Sequence, residues 1–249
     1  MDQQDLGSLA FADYRNGIHR KRRYRQAIDH LRRSSALSRR TEYFRIVSGL
    51  YIAGTGSFAA EVAEFARGAG QDVVALVELL DEERVGREIH GLPVVGIGPP
   101  PDGEARIAIA RGDGRGEVTR RLRKLGWRGG AVIHPGAHLG ASARVDDGAI
   151  VGPGAVVGAQ GSIGEHALVS RGALIGHHTR IGTAVAVNPG ANIAGNCVVE
   201  EGAFIGMGSV VAPGVAVGAG AVVAAAALVL KDVPPNQRVQ GIPAEPYDP

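Results

Sequence analysis

Three histidines stand out in the second half of the chain because they interrupt a run of small and aliphatic residues. His166, His177 and His178 stand where neighbouring turns carry Gly, Ala or Asp. The pKa of imidazole lies near neutral pH, so a histidine in an exposed turn can take a proton from an amine or a hydroxyl. His177, with His178 beside it, is therefore the candidate general base.

These histidines are embedded in a six-residue repeat. From Leu139 to Val229, all sixteen residues at intervals of six are aliphatic, and the residue two before each is small or of modest size. A period of six fits neither a helix nor an ordinary strand; it is typical of one short strand and one tight turn per repeat. Three such repeats close one coil. The pattern therefore predicts a parallel β-helix with the aliphatic residues inside.

The coil length predicts where the candidate base points. His177 follows inward-facing Ile175 by two residues, so we expect it at a corner of the prism. Gly195 lies three repeats beyond His177, so we expect it directly above that corner in the next coil. Cys197 occupies the small-residue position of its repeat, which indicates a structural thiol and not a nucleophile. A mechanism through a covalent intermediate on this thiol is therefore disfavoured, and a direct reaction is favoured.

The front part of the chain has a different pattern. A predicted strand, Leu50 to Ala53, leads into the turn Gly54, Thr55, Gly56 and Ser57, and helical spacing runs from Glu61 to Gly70. A second predicted strand ends at Glu78, and strand and helix alternate to about Leu125. This alternation predicts a small Rossmann-type sheet. The free N–H groups after a glycine turn suit a phosphate, although a tight turn that binds nothing has the same pattern.

Composition limits the remaining possibilities. The single cysteine excludes an internal disulfide, and neither a membrane span nor a secretory signal is evident, so we expect a cytoplasmic protein. Residues 1–45 carry eleven Lys and Arg against five Asp and Glu, which leaves a net charge of −4 on the rest. The body of the protein is therefore not expected to bind nucleic acid. The basic leader is predicted to be a poorly ordered extension, with contact to anionic lipid or RNA as the alternative.

The combination of these features resembles the bacterial sugar-nucleotide N-acetyltransferases of the PglD type and their relatives that O-acetylate sialic acid. The resemblance covers residues 48–245 and includes the glycine turn, the segment from Gly86 to Gly96, the Ile133-His134-Pro135 sequence and the coil around His177. It implies an α/β N-terminal Rossmann-like domain followed by a left-handed parallel β-helix. The implied boundaries are 1–46 for the extension, 47–130 for the nucleotide-sugar domain and 131–245 for the β-helix.

The resemblance also implies the chemistry and its residues. The implied reaction moves an acetyl group from acetyl-CoA, the co-substrate, to a UDP- or dTDP-amino sugar in a homotrimer without a metal. His177 is the implied base, and the N–H of Gly195 faces the oxyanion. His178 and Glu165 are supporting candidates. The implied substrate contacts are Gly54, Thr55, Gly56, Ser57, Glu78 and Ser170, and the implied acetyl-CoA contacts are Ala186, Gly195, Lys231, Ile242 and Pro243.

Four positions depart from the family pattern. His178 stands where an acidic residue often follows the base, and Ala186 stands where a second histidine contacts the thioester. Glu78 replaces aspartates at the end of the second strand, and Glu245 replaces a basic residue.

Three alternatives remain at this stage. The same base can serve an O-acetyltransferase of sialic acid or a related sugar. A non-catalytic trimeric scaffold or sensor is the second alternative, and its support is the loss of the acidic partner and of the second histidine. A γ-type carbonic anhydrase needs three histidine ligands, but adjacent β residues such as His177 and His178 diverge and make poor co-ligands.

Overall fold

The computed structural model describes residues 49–248. Residues Val47–Pro249 belong to one compact unit. The predicted basic extension lies outside the described residues. Within residues 49–248, neither of the helices has the length and apolar character needed to cross a membrane.

The second half of the described chain is a parallel β-helix made of two-residue strands. These strands are β7 (Val132–Ile133), β8 (His138–Leu139), β9 (Arg144–Val145), β10 (Ile150–Val151), β11 (Val156–Val157), β12 (Ser162–Ile163), β13 (Leu168–Val169), β14 (Leu174–Ile175), β15 (Arg180–Ile181), β16 (Ala186–Val187), β17 (Asn192–Ile193), β18 (Val198–Val199), β19 (Phe204–Ile205), β20 (Val210–Val211), β21 (Ala216–Val217), β22 (Val222–Val223) and β23 (Leu228–Val229). A terminal hairpin follows, with β24 (Arg238–Gln240) and β25 (Glu245–Pro246).

Every third strand pairs, which gives three sheets. Sheet I contains β7, β10, β13, β16, β19, β22 and the terminal hairpin, sheet II runs from β8 to β23, and sheet III runs from β9 to β21. Paired residues are three repeats apart, as in Ile175 and Ile193. The hexapeptide-repeat β-helix that the sequence predicts is therefore confirmed.

The interior of the β-helix explains the six-residue pattern. The repeated aliphatic residues, such as Val151, Val157 and Ile163, are completely buried, and small residues such as Ala155 fill the spaces beside them. Glycine after the aliphatic residue permits close stacking of coils. A methyl group at Gly176 would lie 2.4 Å from the backbone of the next coil, which a real side chain could not tolerate.

The front part forms a six-stranded sheet with two helices. Its elements are β1 (Leu50–Ala53), α1 (Ser57–Gly68), β2 (Val73–Glu78), a 3₁₀ turn (Glu82–Arg84), β3 (Glu88–Ile89), β4 (Leu92–Gly96), β5 (Arg106–Ile109), α2 (Arg115–Lys124) and β6 (Arg128–Gly129). The strand order is β3-β4-β2-β1-β5-β6, and only the β3–β4 pair is antiparallel. Helix α1 begins at Ser57, about one turn before Glu61, where the helical spacing in the sequence starts. Ser57, which the sequence analysis placed in the glycine turn, is therefore the first residue of the helix, and Gly56 is its N-cap.

The front sheet and the β-helix share a hydrophobic cluster. Val62 and Phe65 of α1 pack with the outward-facing residues Val132, Ile150 and Leu168 of sheet I. Burial of such side chains is worth about 1.5–3 kcal/mol each, so this contact fixes the front sheet on the first strands of sheet I. The later strands of sheet I, from β16 to β22, are not covered by α1 and border a groove beside the loop after β5.

Candidate active site

The turn between β14 and β15 carries the candidate base. His177 and His178 are both exposed, and their Nδ1 atoms are 3.1 Å apart. The rings are nearly perpendicular, with an interplanar angle of 86°. When one Nδ1 carries a proton and the other accepts it, this contact holds the His177 ring and leaves its Nε2 free. His178 occupies the position at which the family pattern often has an acidic residue after the base.

Gly195 lies against the imidazole of His177, as the coil length predicts. A methyl group at Gly195 would lie 2.7 Å from both Cε1 and Nε2 of His177, so the absence of a side chain makes room for the ring. Within residues 49–248, no acceptor bonds the N–H of Gly195. A base and an unpaired backbone donor therefore stand side by side, an arrangement that suits addition to a carbonyl.

Glu165, the other supporting candidate, contacts residues other than His177 within one chain. The carboxylate accepts a 2.5 Å hydrogen bond from Arg123 of α2, and its other oxygen is 3.6 Å from Nε2 of His166. Glu165 precedes His177 by two repeats, which is only two-thirds of a coil, so the two residues lie at different corners.

His166 also differs from the expectation of an exposed turn histidine. It is 3% exposed, and its carbonyl accepts hydrogen bonds from Nε and Nη2 of Arg115, at 2.9 and 2.5 Å. Within the described chain, its Nδ1 has no hydrogen-bond partner. Burial lowers the pKa of His166 from an ordinary 6.5 to about 4, only partly opposed by Glu165, so the imidazole is neutral at pH 7.

This buried histidine makes stability depend on pH. On acidification, His166 becomes protonated near pH 6.5 in the unfolded chain but only near pH 4 in the folded chain, because its pKa is lowered on folding. Acidification across that window should therefore remove up to roughly 3 kcal/mol of the free energy of unfolding. Urea unfolding of wild type and His166→Asn between these pH values measures the effect, since Asn tolerates the left-handed backbone at this position (φ 55°). In His166→Asn, the free energy of unfolding should no longer fall in this way between pH 6.5 and pH 4. The control, His138→Asn at an exposed position, should show the same pH dependence as the wild type. An equal pH dependence in all three proteins would contradict the assignment to His166.

The glycine turn after β1 is braced by Glu78. One carboxylate oxygen accepts the Thr55 hydroxyl, and the other accepts the N–H groups of Leu79, Leu80 and Asp81 at 2.8, 2.9 and 3.2 Å. Burial alone would raise the pKa of Glu78, but the hydrogen bond from Thr55 and those from the backbone outweigh it and lower the pKa. All these contacts of Glu78 lie within the protein, so it stabilises the turn, a role that the sequence analysis did not predict.

Two basic side chains border the glycine turn. Nη1 of Arg84 donates to the Thr55 hydroxyl at 3.0 Å, and Nε2 of His90 lies 3.2 Å from the Gly56 carbonyl. Gly56 caps α1 without a side-chain hydrogen bond, so the first N–H groups of this helix face the turn. The arrangement is suited to a phosphate group. The sequence analysis missed both basic residues because neither belongs to the glycine motif.

A groove of about 350 Å³ lies between the loop after β5 and the open part of sheet I. The loop contributes Gly112 to Arg115, and the β-helix contributes Ala186, Phe204, Val222 and Arg238. The loop reaches both the glycine turn and the β-helix: a methyl group at Gly54 would lie 3.0 Å from the Ala110 carbonyl, and one at Gly112 would lie 3.8 Å from Oδ1 of Asn188.

Comparisons with known proteins give the family of the chain. The family model for bacterial transferase hexapeptide repeats matches residues 196–231. A comparison with curated protein sequences gives no match. Among solved structures, a mutant of perosamine N-acetyltransferase from Caulobacter crescentus, in complex with CoA and GDP-perosamine, is 32% identical with a TM-score of 0.74. The match covers 82% of this chain and 99% of that one. The chain belongs to the PglD-type sugar N-acetyltransferases. The predicted family and acyltransferase class are therefore confirmed.

Two further structures extend this family resemblance. The acetyltransferase domain of PglB from Neisseria gonorrhoeae FA1090 is 28% identical, with a TM-score of 0.71 and coverage of 81% of this chain and 100% of that one. WeeI from Acinetobacter baumannii AYE is 25% identical, with a TM-score of 0.71 and coverage of 80% and 99%.

The remaining residues predicted for the site of this PglD-type acetyltransferase are spread over several surfaces. Ser170 is buried, and Ala186 is buried on the floor of the groove, half a coil from His177 in sequence. Lys231, Ile242 and Pro243 are exposed near the terminal hairpin. The buried Cys197 thiol donates to the Ala212 carbonyl at 3.2 Å, and burial raises its pKa.

Proposed function

We propose that this acyltransferase moves an acetyl group from acetyl-CoA to the amine of a nucleotide-linked amino sugar, with His177 as the general base. The observation that carries the proposal is the position of His177 Nε2 beside the unpaired N–H of Gly195. Known ligands of relatives support the two substrates. The C. crescentus enzyme holds CoA and GDP-perosamine, and the N. gonorrhoeae domain holds acetyl coenzyme A.

The proposed reaction is a direct transfer. Nε2 of His177 takes a proton from the amine as the nitrogen attacks the thioester carbonyl, and the carbonyl oxygen becomes an oxyanion that accepts the Gly195 N–H. When the tetrahedral intermediate collapses, the C–S bond breaks and the imidazolium returns the proton to the CoA sulfur. His178, through the 3.1 Å contact between the Nδ1 atoms, keeps the His177 ring in position during both transfers.

The front sheet is proposed to be a Rossmann-like nucleotide domain. In parallel sheets, ligands bind at the carboxyl ends of the strands where the chain reverses its direction across the sheet. Strand β1 lies between β2 and β5, so that point lies at the glycine turn. Gly54 to Ser57 and the start of α1 would take the diphosphate, with Arg84 and His90 as the neighbouring basic side chains.

The β-helix is proposed to pack as a homotrimer through sheet II. Val156, Leu174 and Val210 point outward along this sheet and are 36, 40 and 41% exposed. Asn192 lies between Leu174 and Val210 on this face, so the outward surface of sheet II is mainly apolar with one amide, a composition suited to burial against another copy of the chain. His177 follows β14 of the same sheet, so a neighbouring subunit would border the base. Acetyl-CoA would extend from His177 towards Lys231, Ile242 and Pro243.

A panel of acceptors tests the proposal. Purified protein is incubated with acetyl-CoA and with perosamine-like amino sugars linked to GDP, UDP or dTDP, and release of CoA thiol is followed. We expect thiol release with an amino sugar linked to one of the three nucleotides. The sequence-based prediction named UDP and dTDP sugars, and the GDP-linked sugar is added because the C. crescentus relative holds GDP-perosamine. The corresponding GDP-hexose without an amine is the matched control and should give none.

Other outcomes of this panel identify the alternatives. Thiol release with a sialic acid, and with none of the amino sugars, would replace the proposal by an O-acetyltransferase. Absence of release with every acceptor would support the non-catalytic scaffold.

A further inference from the structure

Arg115 is a buried cation without a carboxylate partner among the described residues. It is 2% exposed, and its guanidinium donates only to backbone carbonyls: Ile109 at 2.7 Å, Arg111 at 2.6 Å and His166 at 2.5 and 2.9 Å. Burial lowers its pKa to about 9, so it still carries its charge at neutral pH. Desolvation of an ion costs several kcal/mol when no opposite charge compensates it. An apolar residue at this position would avoid that cost.

These carbonyls belong to different parts of the fold. Ile109 ends β5 of the front sheet, Arg111 follows it, and His166 belongs to the β-helix turn before β13. One side chain therefore fastens the start of the loop 111–114 to its end at α2 and to the β-helix. Gly114, just before α2, has the left-handed φ of 59° that this sharp turn requires.

The loop 111–114 lies between the proposed nucleotide site and the groove. Strands β1 and β5 are neighbours, so the loop after β5 and the glycine turn after β1 share the carboxyl edge of the sheet. At its other side, the loop passes near Asn188, where a methyl group at Gly112 would lie 3.8 Å from Oδ1, and it lines the groove together with Ala186 and Phe204. A sugar that extends from a diphosphate on the glycine turn towards sheet I would pass this loop. Because the turn after β14 lies at the corner between sheets II and III, opposite sheet I, the base that this sugar meets would be His177 of a neighbouring subunit in the proposed trimer.

We propose that Arg115 is a positioning residue for the sugar end of the acceptor. This inference rests on the proposed function. The three carbonyl contacts hold the loop in one arrangement, so the sugar meets a fixed backbone in the groove. Within residues 49–248, no other side-chain hydrogen bond joins the loop 111–114 itself to the His166 turn, so without the guanidinium the acceptor must order the loop on binding. Arg115 touches neither His177 nor Gly195, so the chemical step itself does not depend on it.

Steady-state kinetics of Arg115→Met and Arg115→Lys test the assignment. We expect Arg115→Met to raise the KM for the amino sugar about tenfold and to leave the KM for acetyl-CoA unchanged. Arg115→Lys should give a smaller rise, because an ammonium cannot bond all three carbonyls in the same geometry. Deuterium uptake in the peptide 110–116 should increase in both variants.

The matched control is Arg123→Met. Arg123 lies on the same helix and joins α2 to the same β-helix turn through Glu165, but it does not hold the loop. Both KM values should stay at the wild-type level in this variant.

Each outcome of these measurements supports or overturns the positioning role of Arg115. An unchanged acceptor KM in a folded Arg115 variant, or an equal rise in both KM values, would overturn the inference while the proposed function stands. If Arg115→Met does not fold, Arg115→Lys is judged by the same criterion. Wild-type protein that acetylates no amino sugar would overturn the proposed function and this inference together.

Discussion

Replacement of His177 by alanine should reduce kcat/KM for acetyl transfer by about 10³-fold, within the range expected for loss of a general base. The amine then has no group to take its proton while it attacks, whereas the Gly195 N–H still stabilises the oxyanion. His177 is exposed and lies outside the core, so the thermal midpoint should stay within about 2 °C of the wild type. Thiol release and thermal unfolding measure the two quantities.

Two other histidine variants sharpen this experiment. His138→Ala removes an exposed histidine from β8 of the same sheet and should leave activity unchanged. His178→Ala keeps the base but removes its 3.1 Å partner, so it should cost about 10-fold, much less than loss of the base itself. An active His177→Ala protein would exclude this residue as the base.

Gly195→Ala should lower kcat by about 10²-fold without unfolding the protein. The added methyl group would lie 2.7 Å from the imidazole of His177 and push that exposed ring aside. The φ of Gly195 is not in the left-handed region, so alanine can adopt the same backbone. The N–H remains in place, and the loss therefore reports on the position of the base. Activity and the thermal midpoint are measured together.

Gly103→Ala is the matched control for this variant. A methyl group at Gly103 meets no atom within 4 Å, so the same change there should affect neither activity nor stability. Wild-type activity in Gly195→Ala would mean that the ring does not need to lie over this residue. A large drop in the thermal midpoint would point to the coil stacking instead.

The β-helix and the stacking of Gly195 on His177 could be predicted from the six-residue repeat and the three repeats in each coil. Each repeat has one strand and one turn, so a residue three repeats away must lie above its counterpart. The same arithmetic places Glu165 and His177 of one chain at different corners of the prism, because a separation of two repeats is not a full coil. Local periodicity is sufficient here because every contact joins neighbouring coils.

The contacts of the front part could not be predicted in this way. The burial of His166 depends on α2 lying against a turn of the β-helix, and no period links Arg115 to a histidine so much later in the chain. The role of Glu78 depends on the path of the loop that follows it, which folds back so that three N–H groups meet one carboxylate oxygen. Such contacts come from the packing of separate elements, which residue types alone do not specify.

Strands β14 and β17, which precede His177 and Gly195, are the two central strands of sheet II. In a solenoid, each coil is stabilised only by its neighbours, so fraying begins at the ends and proceeds inward one coil at a time. The proposed base and the proposed oxyanion donor therefore lie in the part of the stack that fraying from either end reaches last. Partial melting of the first or last coil would leave this pair assembled, so the chemistry is protected by its place along a one-dimensional stack.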